Sequence, residues 1–181
     1  MSICGETRDE KYLLNLFSIE GVCVEVPTMW LFKNSMKDNL YNAHLLVRYI
    51  AIERFYNRDD SWWKVYNEMQ RKRVAMIPII PREKAENEEA FKKLIMSFEK
   101  DGFIKDYPIL VNKDLRLVDG SHRLALALYF KIEKVPITIT KEYFDLDPEY
   151  SLDWFKEHGF NDIVAKIVDK YDEILGKGET L

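Results

Sequence analysis

Hydrophobic and polar positions divide the first 74 residues into a short strand followed by helices. Valine alternates with other residues over positions 22–26, which predicts a strand that Pro27 ends. Over residues 35–56 apolar side chains recur at three- and four-residue steps, which predicts one amphipathic helix. The same spacing predicts a second helix over residues 62–73.

The middle of the chain alternates strands with helices. The pattern predicts strands at 76–80, 109–111, 115–118 and 135–139, and helices at 88–100 and 121–130. Gly102 follows the first of these helices at the position where a left-handed residue commonly ends a helix.

The last 41 residues are rich in aromatic side chains and predict one or two short helices before a polar tail at 176–181. Because strands and helices are interleaved, we expect an α+β (mixed α/β) fold with a small sheet. Three parts are predicted. Residues 1–74 form an N-terminal strand and helical extension packed on the core, residues 75–140 form the core, and residues 141–181 form a C-terminal helical aromatic segment.

Composition narrows the class of protein. The chain has 181 residues, 47% of them hydrophobic, and a net charge of −4, which argue against disorder and against binding to DNA by charge alone. The two cysteines, Cys4 and Cys23, match no zinc pattern. The N-terminus has no signal-peptide core and no apolar run is long enough for a membrane span, so we expect a cytoplasmic protein.

The strongest candidate for chemistry is the run Asp119-Gly-Ser-His-Arg123, which joins an apolar strand to a helix. Exposed N–H groups and the positive dipole end make a helix N-terminus a phosphate site. Gly120 lets the backbone approach a ligand, Ser121 begins the helix, and His122 and Arg123 add donors. Asp119 suits Mg²⁺ or the orientation of a nucleophile.

The same five residues have a structural interpretation, because Asp-Gly-Ser is also an ordinary turn followed by a helix start. They do not form a P-loop, since the lysine and the four-residue spacer are absent. The motif alone leaves both interpretations open.

Five segments in order resemble the ParB/sulfiredoxin-like superfamily over residues 77–139. They are Ile79-Ile-Pro-Arg82, Leu94-Ile-Met-Ser-Phe-Glu-Lys-Asp-Gly102, Pro108-Ile-Leu-Val111, Asp119-Gly-Ser-His-Arg123 and Val135-Pro-Ile137. The resemblance implies a small mixed sheet with helices and phosphate binding at Gly120–Arg123. It covers about a third of the chain and leaves residues 1–74 and 141–181 without a family.

Branches of this superfamily differ within the same motif. Sulfiredoxins carry a catalytic cysteine where this chain has Ser121, so their thiol chemistry is not expected. ParB partition proteins carry Gly-Glu-Arg-Arg, bind CTP and add a helix-turn-helix domain. The free-serine kinase branch carries Asp-Gly-His-His-Arg, which differs from Asp119–Arg123 at one position.

The kinase resemblance implies a base at Glu83, because that branch has an acidic residue just after its early strand. Glu83 would accept the proton of a substrate hydroxyl. Arg82 stands where the branch has histidine. A second interpretation is structural, because Glu83 belongs to an acidic run before a helix, where carboxylates favour the N-terminus.

Other candidates have simpler explanations. We interpret His44 as a packed or surface histidine and the basic cluster at 70–73 as a solvated helix end. The four tryptophans are interpreted as core residues rather than base-stacking groups.

Together the motif and the resemblance predict a nucleotide-dependent phosphotransferase. Gly120, Ser121, His122 and Arg123 would bind the phosphates of ATP, ADP or CTP, with Mg²⁺ at Asp119 and a small hydroxyl-bearing acceptor near Glu83. The alternatives are a nucleotide-responsive ParB-like module that binds DNA or protein, and a ParB-like nuclease. Net acidity favours the first over the second, and the sequence shows no set of carboxylates for a nuclease.

Overall fold

The computed structural model describes residues 23–76, 87–104, 106–112, 115–140 and 150–178. In chain order its elements are β1 (Cys23–Pro27), α1 (Thr28–Ser35), α2 (Lys37–Leu40), α3 (His44–Tyr56), a 3-10 turn (Asp60–Trp62), α4 (Trp63–Met76), α5 (Glu88–Asp101), β2 (Ile109–Asn112), β3 (Leu117–Asp119), α6 (Ser121–Tyr129), β4 (Lys134–Thr140), α7 (Leu152–Glu157) and α8 (Asn161–Gly178). Helices are mixed with a small sheet, and the expected α+β class is confirmed.

The sheet has four strands in the order β1-β4-β2-β3. The central pair, β2 and β4, is parallel, and each is flanked by an antiparallel neighbour. Parallel neighbours require a crossover, and here the crossover contains β3 and α6. Ile109 on β2 lies opposite Ile137 on β4, and both are fully buried. The start of α6 is therefore fixed at the edge of a packed sheet.

The central helix of the protein is α3. Every residue from 44 to 52 is buried, which is expected of a helix surrounded by other elements. It packs against α6, α4 and α8. Seven of those nine residues are hydrophobic, and the remaining two, His44 and Arg48, are polar groups in the interior.

The single helix predicted over residues 35–56 is wrong in its bounds. The first helix begins earlier, at Thr28, and the helical structure is interrupted between α1 and α3. Within the single turn of α2, Asn39 and Leu40 adopt φ values of 61° and 54°, outside the right-handed range that a continuous helix from α1 to α3 would need. The Asn42 side chain donates a 3.0 Å hydrogen bond to the carbonyl of Ser35 and so closes the end of α1.

Three further boundaries differ from the sequence prediction. Met76, expected to start a strand, ends α4, and the rest of that predicted strand lies outside the described residues. Leu115 has a φ of 61° and donates to the carbonyl of Asn112 as part of the hairpin turn, so β3 begins only at Leu117. Gly176, expected in a polar tail, lies within α8.

Within the described part of the chain, none of the helices has the length and apolar character that crossing a bilayer requires.

Candidate functional site

The junction of β3 and α6 has the backbone geometry that the motif predicted. Asp119 ends β3, Gly120 has a φ of +97°, and Ser121 begins α6. A Cβ at Gly120 would lie 3.2 Å from the Cα of Ile109 and 3.1 Å from Nη2 of Arg123. Only glycine fits this turn without strain. Because Gly120 has no side chain, the first-turn N–H groups of α6 donate to no capping side chain.

Arg123 holds the junction together. Its Nη1 donates to the carbonyls of Tyr107 and Pro108, the latter at 3.0 Å, and its Nη2 donates to Oδ2 of Asp119 at 2.9 Å. Three of the five N–H donors of a guanidinium are thus directed at the protein itself. At most two N–H donors of Arg123 remain for a ligand. Any pair of parallel hydrogen bonds from this side chain to a phosphate has to use those two donors.

Asp119 is the acidic group at the junction. Its side chain is 75% exposed and pairs with Arg123. Among the described residues no cluster of three or more His, Cys, Asp or Glu could hold a metal ion. Mg²⁺ is often bound through one or two carboxylates together with substrate phosphates, and a single aspartate at this turn fits that mode only.

The ring of His122 packs against the aromatic side chains of Tyr66 and Phe91. Its Nε2 lies 2.9 Å from the Tyr66 hydroxyl, and its ring contacts Phe91 edge to face at 4.5 Å. Burial, then the charges of Arg48 and Arg73, hold the pKa of His122 well below its ordinary value. At neutral pH the imidazole is therefore uncharged. It can therefore offer a ligand a hydrogen bond but no positive charge.

A cavity of about 370 Å³ opens beside the junction. Its walls are the second half of α5 and residues from 102–104 and 107, and apolar side chains dominate them: Leu94, Phe98, Phe103, Ile104 and Tyr107. Asp119, Gly120, His122 and Arg123 form its polar end. An apolar chamber with a few convergent polar groups is the usual form of a small-molecule site.

Behind His122 lies a group of polar and charged residues that the sequence did not predict to meet. Arg48 of α3 and Arg73 of α4 both donate to Oε1 of Gln70, at 2.9 and 2.8 Å. Gln70 is 5% exposed, Arg73 is only partly exposed and α4 continues to Met76, so the interpretation of residues 70–73 as a solvated helix end is wrong for Gln70 and Arg73, whereas Arg71 is exposed. His44 is 3% exposed and belongs to the same group, as a packed histidine.

The structure thus brings five of the six predicted site residues together, since Asp119, Gly120, Ser121, His122 and Arg123 are consecutive at one junction. The sixth, Glu83, lies outside the described residues, and its role as a base stays a prediction.

Comparisons with known proteins add no relative to this picture, because no protein-family model, no curated protein and no solved structure matches the chain.

Proposed function

We propose that the chain binds a nucleotide in the cavity beside the β3–α6 junction and transfers a phosphoryl group from it to a small hydroxyl-bearing acceptor. The observation that carries the proposal is the left-handed Gly120, which leaves the first-turn N–H groups of α6 uncapped at the polar end of the cavity. Such groups and the helix dipole stabilise phosphate oxygens. The apolar walls of the cavity suit a nucleobase.

The residues of the junction would have different roles. Backbone N–H groups of Ser121 and His122 would hold phosphate oxygens, and the two remaining donors of Arg123 would add to them. Neutral His122 would contribute one hydrogen bond. Asp119 would hold Mg²⁺ through the nucleotide phosphates, and the ion would supply charge neutralisation when bound. Glu83 would accept the acceptor's hydroxyl proton.

Nucleotide binding is tested by titration calorimetry with ATP, ADP and CTP, each with and without Mg²⁺. Arg123→Ala removes charge-assisted bonds, so we expect affinity to fall by about 10- to 150-fold, equivalent to about 1.5–3 kcal/mol. Lys93→Ala is the matched control, because Lys93 is exposed on α5 and does not line the cavity. Unchanged affinity in the Arg123 variant would contradict the site.

Two further variants test the proposed roles of Asp119 as a ligand of Mg²⁺ and of Glu83 as the base. Asp119→Asn should remove the Mg²⁺ dependence of nucleotide binding, since it removes the carboxylate that faces the phosphates. Glu83→Gln should bind nucleotide normally and lose about 10²–10⁴-fold in transfer to an acceptor found by screening. Normal turnover by Glu83→Gln would remove it from the mechanism. Nucleotide binding with no turnover by the wild type on any acceptor would favour the nucleotide-responsive binding module instead.

A further inference from the structure

Two arginines inside the helical layer share one neutral hydrogen-bond acceptor. Arg48 donates through Nη1 to the carbonyl of His44 at 2.9 Å and through Nη2 to Gln70, and Arg73 reaches the same Gln70 oxygen through Nη1. Two positive groups on one amide oxygen repel each other, and the repulsion is stronger in the interior than in water. An arrangement of this kind needs a negative charge to balance it.

The described residues provide no such charge in direct contact. Neither arginine forms an ion pair with a carboxylate of the described chain. Arg48 is 1% exposed. Burial lowers the pKa of Arg48 to about 9, with a further contribution from Arg73, while Tyr66, Tyr150 and Asp119 act in the opposite direction. Arg48 is still protonated at neutral pH. Asp119 is bonded to Arg123 and lies largely in solvent.

Three nitrogen atoms of the group are enclosed and have no hydrogen-bond partner among the described residues. They are Nε of Arg48, Nε of Arg73 and Nδ1 of His44. Buried polar groups in proteins almost always have a partner, and an orphan costs free energy. Two orphan guanidinium donors within one cationic group indicate a place for an acceptor with negative charge.

Aromatic side chains enclose the group. The guanidinium of Arg73 lies over the ring of Tyr150 at 4.3 Å, and the ring of His44 meets Tyr150 edge to face at 4.9 Å. Tyr66 closes the side towards His122 through its 2.9 Å hydrogen bond. The enclosure keeps the local dielectric low, which strengthens any contact between an arginine and an anion.

We propose that a dianionic oxyanion, either inorganic phosphate or a phosphate monoester group, binds between Arg48 and Arg73 next to His122. Two guanidinium charges are balanced by a dianion and only half balanced by a carboxylate. Phosphate oxygens also suit the fork of N–H donors that arginine presents. Arg73 is the half-buried member of the pair, so the anion reaches the site from its side.

This site does not depend on the proposed nucleotide site. Its residues come from α3 and α4, whereas the cavity is built by α5, residues 102–104 and 107, and the β3–α6 junction. His122 contacts both, since it lines the cavity and bonds to Tyr66. Each site can therefore fail in experiment without the other.

The test is thermal unfolding at neutral pH with millimolar phosphate, sulfate, acetate or chloride at constant ionic strength. We expect a saturable rise in Tm of about 5–10 °C with phosphate and sulfate at saturation, and none with acetate or chloride. Arg73→Gln and Arg48→Gln should lose the rise. Arg71→Gln, an exposed arginine on the same helix, should keep it. An equal rise in Arg73→Gln and wild type would be a general salt effect and would overturn the proposal.

Because Arg48 lies in the central helix, Arg48→Gln can fail to fold, and Arg48→Lys and an NMR titration provide independent readouts. The lysine variant keeps the charge and loses the fork, so phosphate affinity should fall at least tenfold. In the wild type, phosphate should raise the pKa of His122, since a bound dianion offsets the two arginines. No change in the His122 titration with phosphate would contradict the site.

Two further sets of measurements identify the chemical source of the anion and distinguish this site from the nucleotide site. β-Glycerol phosphate tests a monoester, and a Tm rise equal to that of inorganic phosphate would assign the site to an ester. Arg123→Ala should keep the phosphate-dependent rise, and Arg73→Gln should keep nucleotide affinity. Loss of the phosphate effect in Arg123→Ala alone, with Arg73→Gln unaffected, would move the anion to the junction and overturn the proposal.

Discussion

At the β3–α6 junction the guanidinium of Arg123 donates to a carboxylate and two carbonyl oxygens. Inside the helical layer Arg48 and Arg73 donate only to neutral oxygens, namely the shared amide oxygen of Gln70 and, for Arg48, the carbonyl of His44. The sequence motif thus points to an arginine whose charge is already balanced. The pair of Arg48 and Arg73, which no motif marks, has two Nε donors without a partner and no ion pair with a carboxylate of the described residues. The junction acts as a rigid turn that presents backbone N–H groups, and the interior pair supplies excess positive charge.

The largest change in stability is expected from substitution of Gly120. In Gly120→Ala the left-handed φ and the 3.2 Å approach to Ile109 should destabilise the fold by about 2–4 kcal/mol, measured by urea unfolding. Gly176→Ala is the control, because that glycine is helical with open space around it and alanine favours a helix. A Gly120→Ala variant as stable as wild type would show that the turn is not rigid.

Acid should lower the free energy of unfolding through the two histidines beside Arg48 and Arg73. Burial is the main cause that places the pKa of both His44 and His122 well below the ordinary value, and the nearby arginines add to it. Both are neutral when folded and take up protons when unfolded, so stability is full above about pH 6.5 and falls below it. Each contributes up to about 1.4 kcal/mol per pH unit.

Urea unfolding between about pH 7 and pH 5 measures this slope. His122→Gln should remove one of the two contributions, because glutamine does not titrate. A slope that is the same in the wild type and in His122→Gln would contradict the neutral, enclosed state of this histidine.

The smallest change in stability is expected from the ion pair at the junction, where Arg123 and Asp119 should contribute unequally. Arg123→Ala leaves the Tyr107 and Pro108 carbonyls without donors and should cost about 1–3 kcal/mol. Asp119→Asn removes a largely exposed carboxylate and should cost at most about 1 kcal/mol. Equal losses in chemical denaturation would mean that the ion pair, and not the carbonyl contacts, holds the loop.

Much of the sheet and of the junction could be predicted from the sequence. Alternating valines gave β1, and the Asp-Gly step after an apolar strand predicted the turn and the start of α6. These features are local, since a period of two or a glycine at a turn is decided by neighbouring residues. The break at Asn39 and Leu40 has no such signal, because two non-glycine residues hold a left-handed backbone there.

The interior arginines were missed because burial is a property of the whole fold. One signal was present, since residues 44–52 of α3 are apolar on all sides of the helix apart from His44 and Arg48, which predicts that Arg48 is buried. Arg73 had another, because Tyr66, Gln70 and Arg73 recur at helical spacing beside the buried Met69. Neither pattern shows that Arg48 and Arg73 meet at Gln70, which depends on how α3 and α4 pack.

Anomalous diffraction from crystals of the wild-type chain grown with millimolar selenate tests most directly where the uncompensated charge lies. Selenate is a dianion with the shape of sulfate, and its selenium atom can be located without a phasing model. Our account predicts a peak between Arg48 and Arg73, with oxygen atoms within hydrogen-bond distance of both Nε atoms. A peak at the first turn of α6 against Arg123, with the interior pair empty, would contradict it.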